Sequence, residues 1–293
     1  MVGKSSLSRK IFVFFNTIFM LLMITVSLYP LWYVFCASFS NAAKYMAHRG
    51  LLLWPIEWTW AAYEHAFEHP LILPSYLNTI FVVVVGTCLS ILFSTIAAYF
   101  LSRKNVPFKR PIALLMTFTM YFSGGLVPFY FTIKTLNMDN SLWVLIIPSM
   151  LTMYNILVMR GGFDGIPDSL EDAANIDGAG HITTLFRIMF PLVLPTIAVV
   201  TLYYGVTYWN AWFNASIFID DRKKYPLQLV LRQILISGNT NDMTLAADAG
   251  SKLALQETIK HAVSVIATVP ILCLYPFLQR YFVKGVMVGA VKG

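Results

Sequence analysis

Charge is what this chain has least of. Only 12% of its 293 residues are Asp, Glu, Lys or Arg, while 58% are hydrophobic and the mean hydropathy is +0.68. That is roughly half the charge of a soluble globular domain, and so much apolar surface needs lipid, which excludes an ordinary water-soluble fold. Cysteine is scarce as well. Cys36, Cys88 and Cys273 are odd in number and each lies in an apolar run, so they read as small packing residues with no disulfide framework. No G-x-x-x-x-G-K-[ST] loop occurs, so the chain has no phosphate cradle of its own. Nor do its apolar runs hold an Asp, Glu, Lys or Arg, which argues against an ion-coupled secondary transporter, a class that ordinarily places an ionisable residue inside a span.

Residues 11–43, 69–102, 111–133, 140–159, 188–219 and 261–279 are free of all four charged types. A bilayer core takes about 20 apolar residues per helix, and a charge at its centre costs about 2.5 to 3.5 kcal/mol. An all-α integral membrane protein is therefore expected, one transmembrane domain over residues 1–293. Its six transmembrane helices are placed near 11–38, 77–102, 111–133, 141–159, 192–213 and 261–281. The first run is too long for the core of a signal peptide and should remain as a span. An even number of spans puts both termini on one side. The short loop 103–110 crowds Arg103, Lys104, Lys109 and Arg110 together, and short loops obey the positive-inside rule. With both termini and residues 160–187 on that same side, 12 of the 21 Lys and Arg residues are cytoplasmic. The net charge of +7 is then an orientation signal and no nucleic-acid footprint.

The connectors carry local signals. Between Asn41 and Pro70, TWAAYEHAFEH reads as a short helix stopped by Pro70. Within it His65-Ala-Phe-Glu-His69 formally fits H-x-x-E-H, which would make a membrane zinc hydrolase. A five-residue match is weak, no convincing third ligand follows, and no metal site is assigned. Gly124, Gly125 and Pro128 predict a break toward the outer end of the third span. The outer loop 217–260 contains PLQLVLRQILI, whose apolar spacing suits a surface-lying helix.

The polar exception is the loop 166–190, IPDSLEDAANIDGAGHITTLFRIMF, between the fourth and fifth spans. Asp168 is placed to cap a helix while Glu171 reaches back to its first N–H, an acidic variant of the capping box. Acid there also suits the helix dipole, by roughly 0.3 to 1 kcal/mol. Leu170, Ala173, Ala174 and Ile176 would form a shallow apolar patch, and Gly178 permits the turn. A second helix would place Ile182, Phe186 and Met189 on one face before Pro191 and Pro195 lead into the fifth span. Physics alone leaves two readings open, an ordinary amphipathic inner loop or a docking surface.

The residues go further. IPDSLEDAANIDGA, an aromatic-containing helix and PLVLP resemble the EAA coupling motif of permease subunits of type I ATP-binding-cassette importers. The motif's leading Glu corresponds to Asp172, with Glu171 one place earlier, so the sequence leaves open which carboxylate meets the partner. LYPLWYVFCASFS, YLNTIFVVVVGT, YWNAWF, YPLQLVLRQIL and the terminal FVKGVMVGAVKG extend the resemblance to the maltose-type carbohydrate subgroup. Within it they most resemble permeases for complex oligosaccharides such as alginate or pectin fragments.

The resemblance implies the type I importer permease fold with cytoplasmic coupling helices, in a bacterial inner membrane, moving a carbohydrate by ATP-driven alternating access. Its implied partners are a second, different permease subunit, two ATPase subunits and an external solute-binding protein. ATP and Mg would sit on the ATPases, so no cofactor is expected on this chain, which is not itself an enzyme. Leu170, Glu171, Asp172, Ala173, Ala174, Asp177, Gly178, Ala179 and Phe186 are the implied coupling residues. Tyr204, Tyr208 and Trp212 share one helical stripe and could stack on sugar rings. Thr152, Asn155 and Asn210 are the accompanying polar residues of a candidate substrate path. Aromatic belts and helix–helix amide contacts account for such residues equally simply.

Overall fold

The uncharged runs fold as helices, and among the described residues no strand forms. The structure is a computed structural model that describes residues 7–104, 106–237 and 254–273. Its contacts divide the chain into two compact units, residues 1–69 with 233–268, and residues 70–232 with 269–293.

In the first unit, α1 (Leu7–Ser38) runs for 32 residues, and only its last turn, Cys36, Ala37 and Ser38, is buried. From Phe12 to Leu31 it presents apolar side chains around its whole circumference. A helix of this kind is stable only with lipid or another protein around it. After α2 (Ala42–Ala47) comes α3 (Ala61–Glu68), the helix expected before Pro70. The turn that follows α1 is tied down by Ser40, which donates to the Cys36 carbonyl (2.7 Å) and accepts from the Ile56 amide (3.0 Å). Phe39 is ringed by Trp58, Trp60 and Tyr63 at centroid distances of 4.5, 4.9 and 4.7 Å.

The second unit is built around α4 (Ile72–Ser102), 31 residues that start five residues before the span expected from the sequence. The next three apolar stretches are each broken. α5 (Lys109–Tyr121) and α6 (Leu126–Thr135) meet at 116°, with Gly125 at φ +85° supplying a backbone conformation that a β-carbon resists. A single turn, α7 (Trp143–Ile146), passes through a 3-10 stretch that contains Pro148 and bends 52° into α8 (Met153–Asp164). The polar helix α9 (Asp168–Ile176) follows. Then α10 (His181–Thr183), a π-helical stretch Thr184–Met189 and α11 (Phe190–Leu192) turn by 87° into α12 (Leu194–Trp209) and α13 (Phe213–Phe218). Pro195 stands at that corner. It has no N–H to continue the ladder, and its ring crowds the carbonyl four residues back. The expected surface-lying helix forms as α14 (Leu227–Ser237) but is largely buried, with Leu227, Leu229, Val230, Leu231 and Ile234 each no more than 3% exposed. A last helix over residues 254–273, α15, most of which belongs to the first unit, completes the described chain.

Among the described residues two helices, α1 and α4, are thus long and apolar enough to cross a membrane, or up to five spans if each bent pair is one. The sixth span expected at 261–281 is described only to residue 273, and the terminal FVKGVMVGAVKG lies outside the described residues.

Packing in the second unit centres on α4, α8 and α12. Small residues let α4 and α12 approach: a β-carbon added to Gly86 would lie 2.8 Å from the Tyr208 ring. Ser90 and Ser94, one turn apart on α4, bond to Tyr208 and Tyr204, one turn apart on α12, both at 2.8 Å. That pairing fixes an antiparallel register in which small residues carry the backbones together and hydroxyls join them.

Candidate functional site

The polar loop folds back onto the end of α4. Tyr99 lies in the last turn of that helix, and Arg103 and Lys104 follow it directly. From the first turn of α9, Glu171 pairs with the Arg103 guanidinium through one carboxylate oxygen and accepts from the Tyr99 hydroxyl (3.3 Å) through the other. Arg103 also stands over the Tyr99 ring, 5.0 Å from its centre, and donates from Nε to Ser102 Oγ (3.0 Å). The Arg103 and Glu171 side chains are only 10% and 19% exposed, so both charges are largely withdrawn from water and satisfied by one another. Beside them Lys104 pairs with Asp168 in the open. The Lys104 ammonium, hydrogen-bonded to Asp168 and carrying the opposite charge, holds its carboxyl below the usual carboxylate range, and Asp168 raises Lys104 in return.

These pairs correct the capping box expected from the sequence. α9 begins at Asp168 itself, its N-cap position is Pro167, and no side chain caps it. Two cations within reach outbid the neutral backbone amides for the two carboxylates, because a charge-assisted bond is roughly twice as strong as a neutral one.

The rest of α9 points outward. Ala174 is its one buried residue, while Leu170, Asp172, Ala173, Ile176, Asp177 and Gly178 are exposed, Ile176 at 86%. The expected patch of Leu170, Ala173, Ala174 and Ile176 is therefore split, with only Ala174 turned to the core. Gly178, at φ +73°, closes the helix: its amide donates to the Asn175 carbonyl (3.1 Å) and the Ala179 amide to the Ala174 carbonyl (2.9 Å). This is a Schellman ending, the role the sequence assigned to this glycine. Between α9 and the end of α4 lies a cleft of about 610 Å³ whose wall includes Arg103, Asp172, Asn175 and His181.

The second helix differs from expectation. Ile182 is 76% exposed and Met189 fully buried, so they do not share a face. The π-helical winding of Thr184–Met189 widens each turn, and residues spaced for a 3.6-residue period fall out of line. Phe186 is 38% exposed and lies 6.2 Å from Phe190.

The aromatic stripe is divided too. Tyr204 and Tyr208 are buried among α4, α8 and α12. The Tyr204 hydroxyl also accepts from the Thr152 amide (3.2 Å), and that of Tyr208 reaches the Ile146 carbonyl (3.3 Å). Asn155 is buried, Thr152 exposed, and the exposed Asn210 donates its amide to the Val206 carbonyl (2.8 Å). Trp212 is half-buried beneath Arg232. In the first unit His65 Nδ1 lies 3.0 Å from Glu68, a local contact one helical turn long. Among the described residues no three potential metal ligands gather.

Sequence reasoning passed over Tyr99, Arg103 and Lys104 as site residues, reading the two cations as a topology signal alone. The missed signal was complementarity, two cations at the end of one uncharged run against two carboxylates in the first turn of the one polar helix.

Residues 70–288 match the family of binding-protein-dependent transport system inner membrane components. The chain is 39% identical to the Polygalacturonan/rhamnogalacturonan transport system permease protein YtcP of Bacillus subtilis (strain 168), over 94% of this chain and 96% of that one. It is 38% identical to Protein LplC of the same organism, over 92% and 90%. Among solved structures it is similar to a chain in the crystal structure of a bacterial ABC transporter involved in the import of the acidic polysaccharide alginate. That match has a TM-score of 0.86 and 30% identity, covering 96% of this chain and all of that one.

Proposed function

The chain belongs to the family of binding-protein-dependent transport system inner membrane components, and from that membership we propose that it forms half of the pathway of an oligosaccharide importer. It is the multi-pass membrane subunit of an ABC carbohydrate importer, and ATP hydrolysis belongs to separate subunits. The cargo we assign is an oligosaccharide from an acidic polysaccharide, a reading supported by the relative at 39% identity, named for polygalacturonan/rhamnogalacturonan transport, and by the similar transporter involved in the import of alginate.

The observation that carries the mechanism is the division of labour on α9. Glu171 and Asp168 are spent inside the chain on Arg103 and Lys104, whereas Asp172, Leu170 and Ile176 face outward. Glu171 then anchors the coupling helix to the end of α4, and Asp172 is the carboxylate offered to an ATPase subunit. Ala173, Ala174, Asp177, Gly178, Ala179 and Phe186 complete that surface. Closure of two ATPases on ATP pushes α9, and the anchor passes the movement into α4 and its partners α8 and α12. The complex comprises this permease, a second and different permease, two ATPases holding ATP and Mg, and an external solute-binding protein. This chain crosses the membrane six times with both termini in the cytoplasm. Thr152, Asn155, Tyr204, Tyr208, Asn210 and Trp212 line the pathway once α4, α8 and α12 separate.

Purification of the tagged complex tests this. Asp172→Ala should leave assembly intact and abolish substrate-stimulated ATP hydrolysis, while undiminished stimulation and uptake would remove Asp172 from the coupling surface.

A further inference from the structure

One cation of the second unit has no role in the site above. Arg232 is exposed on α14, and its guanidinium carbon lies 3.7 Å from the centre of the Trp212 indole. The other two cation–π pairs among the described residues stand at 5.0 and 5.8 Å. Arg232 enters none of the ion pairs formed among those residues.

Both members of the pair are held from behind. Trp212 packs against the main core, and α14 is pinned by Leu227, Leu229, Val230 and Leu231, each no more than 3% exposed. The Leu227 amide also donates to Thr79 Oγ1 on α4 (2.8 Å). A guanidinium lying on a ring uses its face, and its N–H fork remains free along the edge, where it matches a carboxylate with two parallel bonds. Three residues before Trp212, Trp209 is buried with an indole N–H that has no acceptor among the described residues.

We propose that Arg232, pre-set by stacking on Trp212, is a carboxylate-reading subsite for the sugar acid units of the cargo. This rests on the oligosaccharide-permease reading and deepens it. The guanidinium fork would grip a uronate carboxylate through two parallel bonds, with Trp212 holding the guanidinium plane in place.

The test uses the whole complex in proteoliposomes with its solute-binding protein and trigalacturonate as the probe. Arg232→Gln should lower trigalacturonate-stimulated ATP hydrolysis and uptake about tenfold or more, the factor a charge-assisted hydrogen bond contributes. Arg232→Lys should recover part of it, and stimulation by the unloaded binding protein should not change. Equal loss with loaded and unloaded binding protein would make Arg232 a docking residue and overturn the proposal. So would full trigalacturonate uptake by Arg232→Gln. A wild-type complex that itself needs anionic lipid to the same tenfold extent would assign the fork to a headgroup phosphate, again overturning it. Transport of neutral oligosaccharides but no trigalacturonate by the wild type would sink the subsite while leaving the importer reading in place. Transport of no oligosaccharide at all would sink both.

Discussion

Arg103 and Glu171, 68 residues apart in sequence, share a hydrogen bond that joins the end of α4 to the first turn of α9. With Tyr99 on the second carboxylate oxygen and stacked under the guanidinium, the pair is a three-part fastener between a membrane helix and a polar one. Loss of either charge leaves its partner withdrawn from water without compensation. Glu171→Gln or Arg103→Ala should therefore loosen α9 by about 2 kcal/mol, within the range for hydrogen bonds to charged groups. Amide exchange in α9 of the purified complex would register this, and sugar-stimulated ATP hydrolysis should fall with it. The charge reversal Arg103→Glu with Glu171→Arg should restore part of both. Unchanged exchange in the single variants would show that α9 is held elsewhere.

The approach of α4 to α12 supplies a second expectation. Tyr208 cannot yield to a methyl group at Gly86, because its hydroxyl is fixed between Ser90 and the Ile146 carbonyl. Gly86→Ala should cost about 1 to 3 kcal/mol, the usual range for an overpacked core. Tyr208→Phe keeps the ring and removes the hydroxyl, which should cost only about 0.6 kcal/mol, the average for hydrogen bonds between membrane helices. Thermal unfolding of the detergent-solubilised complex should rank the two in that order. The reverse order would mean that hydroxyl bonding, and not close packing, sets this contact.

The pattern of uncharged runs carried the helices because a bilayer tolerates few alternatives, and α1 and α4 fall close to the expected spans. The break at Gly124 and Gly125 was legible because glycine reaches φ values that other residues resist. The bend at Pro195 was legible only as a steering proline. Its 87° angle was not, nor was the π-helical stretch Thr184–Met189 before it, because a register that widens to i→i+5 has no signature in apolar periodicity. The turn that ends α9 could be read from Gly178, which the sequence marks as the residue free to take a positive φ. The helix's anchor could not, because the partners of Glu171 and Asp168 lie more than sixty residues away, and local rules favour a nearby backbone amide over a distant arginine.

Gly178 offers a way to separate fold from docking. Its φ of +73° strains most side chains, yet a β-carbon there would meet nothing within 4 Å. Gly178→Val should destabilise the turn by about 1 to 3 kcal/mol, the range for a non-glycine residue forced into the left-handed region. Asparagine tolerates that region, so Gly178→Asn should spare the turn. If an ATPase subunit fills the open space, Gly178→Asn will fold and assemble normally yet transport poorly. Uptake equal to wild type in Gly178→Asn would leave that space unoccupied in the working complex.

The Lys104–Asp168 contact sets a pH range. Asp168 titrates below its ordinary value of 3.8, so its contribution is complete above that value and is lost as pH falls through the lower, folded-state pKa. Lys104 titrates above 10.5, so its contribution is complete below that value and disappears as pH rises through the higher, folded-state pKa. Both groups keep their charges between about pH 5 and pH 9, well inside the two ordinary values. Amide exchange in α9 beyond its first turn, corrected for the intrinsic rate, should stay level across that interval and rise only outside it. Lys104→Met should raise exchange equally at every pH within the interval, since the pair is then absent throughout. A pH-dependent step inside the interval that survives in Lys104→Met would place control of this helix with another titrating group.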